Sequence, residues 1–276
     1  MDLSCIFEWL TSQAWQLLNS NFTAALAGAL AGVYGADSIA RRTANRRDIV
    51  TEVRCANAAI MVSLGITNTF CGLKQQHVQI MAATFQTQKQ ALLLHAQERK
   101  AGRQNGTFHF DADFENLPEP VVPIDLLSNL VFEKLSIQRR PLALTMVLAQ
   151  SVKALGSCIG ARNALIQDFR ARFPNDPDAL ARAYFGLPTV AGHLDRRYSD
   201  TLAGIIALTD DCIFFSHMLG LDIQQHAAHI APAIKRAPPK VEATDFDKAK
   251  QAGLIPDQSN YLDWVNMPTA DASWHE

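Results

Sequence analysis

Proline is missing from the first 117 residues; all twelve prolines lie at Pro118 or beyond. Proline is the residue that most reliably interrupts a helix, so its absence leaves that stretch open to one long helix. Cysteine is sparse and irregular. Cys5, Cys55, Cys71, Cys158 and Cys212 are odd in number, widely scattered and never arranged as CxxC, the usage of a reducing compartment with cysteine as a small buried hydrophobe. No basic segment precedes the first apolar run, so no cleavable signal peptide is expected. Signatures of chemistry are missing too. There is no GxxxxGK[ST], no GxGxxG after a strand, no GxSxG and no HExxH, which leaves the common routes to nucleotide binding, serine hydrolysis and zinc proteolysis without a candidate. A non-enzymatic protein is expected, with no catalytic residue, no metal and no cofactor.

A large charge of one sign is also lacking, the net charge being −2 over 276 residues. The distribution is uneven. Residues 41–103 hold ten basic and three acidic side chains, 104–136 hold one and six, and 237–276 hold three and seven. A basic stalk followed by acidic segments suits a protein standing on an anionic inner leaflet. The basic stretch lacks interleaved aromatics and any known motif, so nucleic acid is not an expected partner. Hydrophobic residues make up 48% and charged residues 19%, enough apolar surface for a core and too few charges for wholesale disorder.

What is present centres on Phe22 to Arg47. Fifteen residues, Phe22 to Ala36, carry no charge, and Arg41, Arg42, Arg46 and Arg47 follow. Lysine and arginine are held back on the cytoplasmic face, so this order predicts a transmembrane anchor over 22–40, N-terminus out and C-terminal domain cytoplasmic, in a bacterial inner membrane. Asp2 and Glu8 on the outer side, and Trp9, Trp15 and Tyr34 near the edges, agree with that orientation. The apolar run is shorter than the roughly 20 residues a hydrocarbon core requires, so a buried bundle helix or an interfacial helix stands as the alternative. Ala24, Gly28, Gly32 and Ala36 recur at every fourth position. They form a ridge of small residues, and such ridges let helices approach closely and associate in lipid; a homo-oligomer is the expected outcome.

The chain then divides into a short amphipathic tail over 1–21, the anchor, a helical bundle over 41–236 and an acidic tail over 237–276. Within the bundle, Ile49, Val53, Ala56, Ile60, Leu64, Thr67, Phe70, Val78, Met81 and Phe85 fall at three- and four-residue steps and predict a buried stripe. Lys74, His77 and Gln88 make the pattern too polar for an ordinary two-stranded coiled coil. The uncharged stretch Cys55 to Leu73 is long enough for a second span, but Asn57, Ser63, Thr67, Asn68 and Thr69 favour a bundle helix. Phe108, Phe110, Ala112 and Phe114 alternate with His109, Asp111, Asp113 and Glu115, which predicts a short strand or extended arm over 106–123. Helices are predicted over Ile124–Leu135, Leu142–Phe173, Asp178–Phe185 and Asp200–Leu221, with a separate short helix over Ile223–Lys235. Tyr261, Leu262 and Trp264 are expected to dock the tail. The fold class is mainly α: an N-terminal transmembrane helix continuing into a long-helix antiparallel bundle, with one short extended or β arm.

Two clusters are candidates for chemistry. His226 and His229, with His217 upstream, lack a third ligand at a matching step and read as surface histidines at a helix end. Asp210 and Asp211 precede an apolar run, and their simplest explanation is pairing with Arg162, Arg196 or Arg197 from a neighbouring helix. An enzyme built on either cluster is the least favoured class.

The runs AGALAGVYGADSIARR, NAAIMVSLGITNTFCGLKQQHV, PIDLLSNLVFEKLSIQRRPLALTMVLAQSV and TDDCIFFS together resemble a family of uncharacterised bacterial proteins. The likeness covers most of Gly28 to Met218 in blocks, and it implies an N-terminal membrane helix and a helical cytoplasmic body. It implies no activity and no catalytic residue. The short, alanine-rich anchor departs from that pattern. The functional expectation is a membrane-anchored, non-enzymatic scaffold or effector that self-associates, in bacterial stress or phage defence. The alternative is a membrane-localised binding module, a sensor or adaptor whose bundle captures a protein partner or ligand.

Overall fold

A computed structural model describes residues 21–103, 108–189 and 192–269. The amphipathic tail expected over 1–21, with Trp9 and Trp15, lies almost entirely outside these residues, and the side chains of Ala24 and Gly28 lie outside them as well.

With no proline to stop it, the first helix α1 (Asn21–Leu73) runs through a π turn (Lys74–Val78) directly into α2 (Gln79–Lys100). The continuous rod is about 120 Å long at 1.5 Å per residue. It ends by a change of hand at Gly102, whose φ is +69°. Arg103 N–H donates to the Glu98 carbonyl and Gly102 N–H to that of Arg99, the paired bonds of a Schellman cap that glycine allows without steric cost.

Three long helices make the body: α1, α4 (Arg140–Arg172) and α6 (Arg197–Ile230). Helix α6 lies between the other two and packs against both. Paired contacts give the directions. Glu52, Ser63 and Lys74 meet His226, Ser216 and Asp210 in turn, so α1 and α6 are antiparallel. Arg140 and Asp168 likewise meet Asp222 and Arg197, so α4 and α6 are antiparallel too. The stripe expected on α1 is the buried one: Val53, Ala56, Ile60, Thr67 and Phe70 have no accessible surface. Ser63 and Thr67 are tolerated inside because their hydroxyls are bonded. Ser63 Oγ donates to the Ser216 carbonyl at 2.5 Å, and Thr67 Oγ1 and Ser216 Oγ lie 2.8 Å apart. A satisfied hydroxyl costs little to bury, whereas an orphaned one costs kilocalories.

The shorter elements are α3 (Ile124–Asn129) with a π turn at Leu130–Lys134, α5 (Pro177–Phe185), a 3₁₀ turn (Ala231–Ala233), α7 (Asp247–Gln251), a 3₁₀ turn (Gln258–Tyr261) and α8 (Leu262–Val265). One expectation is narrowed and another corrected. Residues 108–123 form no strand; the alternation is used instead for packing, with Phe110 5.3 Å from Phe185 and Phe114 6.4 Å from Tyr184 between ring centroids. The alternate residues carry bonds, since Arg162 donates to the Asp113 carboxylate and to the Glu115 carbonyl. No separate helix begins at Ile223. Helix α6 continues to Ile230, because Asp222 is buried against Arg140 rather than exposed at a helix end.

Helices within 32–100, Arg140–Arg172 and Arg197–Ala233 are each long and apolar enough to cross a membrane by length and composition. They differ in what they do with that surface. The apolar stretch of the last is 61% buried inside the body, that of the first only 33%. Between 32 and 48 every side chain of α1 is exposed except that of Ser38, which is half-buried. This end of the helix is not buried by the bundle.

Candidate functional site

Helical geometry divides the four arginines that follow the apolar run. Arg42 and Arg46 are one turn apart and share a face, while Arg41 and Arg47 are each rotated about 100° from their nearer neighbour. Arg41 is engaged along the helix, its Nε 2.8 Å from the Asp37 carboxylate. Arg42 and Arg46 instead face the far end of the chain. After α6 closes in the 3₁₀ turn, Ile234 is buried and the next two residues, Lys235 and Arg236, are exposed. Arg42, Asn45, Arg46 and Ile49 on one side, and Ala233 to Arg236 on the other, enclose a cleft of about 300 Å³. Its lining holds four cationic side chains and the apolar Ile49, Ala233 and Ile234, of which Ile234 is buried, Ile49 half-buried and Ala233 exposed.

Partnering separates these cations from the arginines between 139 and 197. Every arginine from Arg139 to Arg197 is held by another group. Arg42, Arg46, Lys235 and Arg236 have no ion pair or hydrogen bond from their side chains among the described residues. Lys235 and Arg236 were not singled out from the sequence, and a bare Lys-Arg pair after a predicted helix carries no sign of what it faces.

The small-residue ridge is placed only in part. Gly32 and Ala36 are exposed, and a Cβ added at Gly32 would meet nothing within 4 Å. The ridge is therefore not occupied by the rest of the chain at those two positions.

A second cavity, of about 440 Å³, opens beside the first π turn. Its walls include Gln76, His77, Thr84, Asp113, Glu115 and Arg162. Arg162 occupies a position on the buried stripe of α4 that pattern reading passes over, and it is 1% exposed. It donates to Asp113 Oδ2 at 2.8 Å and to the Glu115 carbonyl at 2.8 Å, while its Nε is buried without a hydrogen-bond partner among the described residues. π turns are frequent at functional sites, and this one adjoins the cavity.

The clusters weighed for chemistry resolve into structural pairs. Asp210 is held by Lys74 at 2.7 Å, not by an arginine. Asp211 accepts from the Tyr261 hydroxyl at 2.8 Å. Burial pushes the Asp211 carboxyl above its usual range, against the lowering effect of that hydrogen bond. The neighbouring Cys212 thiol is pushed far up by burial and by Asp211, which disfavours the thiolate a nucleophile needs. The histidines do not act together. His226 is half-buried with Nε2 2.8 Å from Glu52 Oε1, His229 is exposed, and His217 is buried with its ring 4.3 Å from that of Phe246. Desolvation lowers the His217 pKa to about 4. Glu52 is lowered on balance: burial raises it, but hydrogen bonds from Ser136 and His226 outweigh that. No group of three or more metal-binding side chains occurs among the described residues.

Comparison with protein-family models, curated proteins and solved structures returned no match.

Proposed function

We propose that this protein is a membrane-anchored, non-enzymatic helical scaffold that self-associates through its first helix. The observation that carries the reading is the lone end of α1. Its described side chains from 32 to 48 are exposed except that of Ser38, the uncharged run that ends at Ala36 leads into it, and Arg42, Arg46 and Arg47 beyond that run have no ion pair among the described residues. In water such a surface would be costly; in a bilayer it is the surface that inserts. The small residues Ala24, Gly28, Gly32 and Ala36 then provide a close-packing face for a second copy, and the bundle is held just beneath the membrane. Carbonate extraction, together with oligomer size in detergent for wild type and for Gly28→Leu/Gly32→Leu, tests both halves. Retention in the membrane, with an oligomer that the double substitution converts to monomer, is the expected result. Release by carbonate removes the anchor, and an oligomer unaffected by the substitutions removes the ridge.

A second reading is favoured by the cavity beside the π turn: a membrane-localised binding module whose bundle takes a small polar ligand or a partner segment. The buried, incompletely satisfied Arg162 is the specific support for it. Loss of a co-purifying ligand or partner in Arg162→Met, with oligomer size unchanged, would favour this reading over the first.

A further inference from the structure

The cleft at the base of the exposed helix has three properties that together define a ligand. Four cations converge from two segments nearly two hundred residues apart, two from α1 and two from the turn after α6. None is neutralised by the chain itself among the described residues. Beside them the lining is apolar, with Ile234 buried and Ile49 half-buried. Cations set beside apolar side chains match an amphiphile with an anionic head better than they match a free anion, which would gain nothing from the apolar lining. Guanidinium groups pair with phosphate oxygens in bidentate geometry, and two arginines from one helix face can share a single phosphate.

Depth selects the source of that head group. If the hydrocarbon core ends at Ala40, Arg42 lies about 3 Å and Arg46 about 9 Å beyond it along the helix axis. The head-group layer on each side of a bilayer is roughly 5–8 Å thick. Both arginines would then stand within or just below it. We infer that the cleft formed by Arg42, Arg46, Lys235 and Arg236 is a site for the phosphate head of an anionic phospholipid. It clamps the C-terminal end of the bundle to the leaflet from which α1 emerges. This rests on the anchor reading for its geometry, but it assigns a specific lipid site to residues outside the anchor. Juxtamembrane basic clusters attract anionic leaflets diffusely; a cleft closed by residues from another element holds one head group.

The test uses the full chain purified in neutral detergent, with bound lipid counted by native mass spectrometry after addition of phosphatidylglycerol or phosphatidylcholine. Wild type retains one phosphatidylglycerol per chain and discriminates against phosphatidylcholine. Lys235→Glu/Arg236→Glu, both on exposed side chains, weakens phosphatidylglycerol retention by about 25-fold or more, since each of the two cations lost near a charged surface is worth about a factor of five. Arg47→Glu/Arg54→Glu, the same charge change on exposed α1 side chains outside the cleft, leaves retention as in wild type. Equal retention in wild type and Lys235→Glu/Arg236→Glu, or equal retention of the two lipids, overturns the site. Displacement of phosphatidylglycerol by millimolar inorganic phosphate would make it a free-phosphate site and also overturns the lipid assignment. Carbonate extraction run alongside keeps the two claims apart. Release of wild type defeats the anchor, whereas resistance to extraction without lipid selectivity defeats the cleft alone.

Discussion

Arg140 ties three parts of the molecule together, and removing it should show how the C-terminal segment is held. It is the first residue of α4 and only 12% exposed at the side chain, facing an Asp222 carboxylate that is 4% exposed. The pairing is bidentate, Nε donating to Oδ2 at 2.9 Å and Nη2 to Oδ1 at 2.6 Å. The remaining nitrogen, Nη1, donates to the carbonyls of Val265 at 2.8 Å and Met267 at 3.2 Å. Arg140→Ala leaves a buried carboxylate without its partner, a change that typically costs about 3–5 kcal/mol. It also orphans carbonyls of the tail. The double substitution Arg140→Met/Asp222→Leu removes both charges and restores most of that loss, because an apolar pair of similar volume is often neutral relative to a buried ion pair. The tail carbonyls stay without their donor in the double variant. Urea denaturation therefore separates the two variants, while hydrogen exchange of the amides around 262–268 is accelerated in both. The reasoning is refuted if Arg140→Ala unfolds within about 1 kcal/mol of wild type, or if the double variant protects the tail as wild type does.

Two further outcomes follow from buried rings. His217 is held neutral down to about pH 4, whereas an unfolded histidine takes up its proton near 6.5. Between those values the unfolded chain binds more protons, so stability is lost on acidification, by up to about 3 kcal/mol from this group. His217→Phe flattens that part of the stability–pH curve, and curves that stay parallel to wild type would remove His217 as the cause. Phe85 is 4% exposed, with ring centroids 5.7, 5.4 and 6.2 Å from those of Tyr184, Phe185 and Tyr198. Phe85→Ala is expected to cost about 3–5 kcal/mol in chemical denaturation, and a loss below about 1 kcal/mol would mean that α2 is not anchored there.

Much of this architecture is legible in residue order alone. The absence of proline before Pro118 and the three- and four-residue spacing from Ile49 to Phe85 specify one long helix and its buried face, since local backbone chemistry and burial period are both properties of adjacent residues. The ends of α4 and α5 are equally local, marked by Pro141 and Pro177 near their first turns and Gly186 after the second. The docking of the tail through Tyr261 and Trp264 could be expected from its aromatics; Tyr261 stacks on Phe214 with centroids 3.8 Å apart. Leu262, named with them, is 56% exposed.

What sequence order could not contain is pairing across distance. Whether Asp210 meets an arginine or Lys74 depends on the register of α6 against α1, and one step of register changes the partner. From residue order Arg162 is a candidate partner for Asp210 or Asp211; the arm at 113–115 laid over it supplies its acceptors instead. Phe108 to Phe114 alternate as a strand would, yet no neighbouring strand is present among the described residues to accept a ladder, so the rings of Phe110 and Phe114 pack on α5 and that of Phe108 on His95 of α2. The cleft shows the same division. Arg42 and Arg46 are visible as a basic step after an apolar run. Lys235 and Arg236 join them only because α6 runs antiparallel to α1 and returns the chain to the helix where the arginines stand.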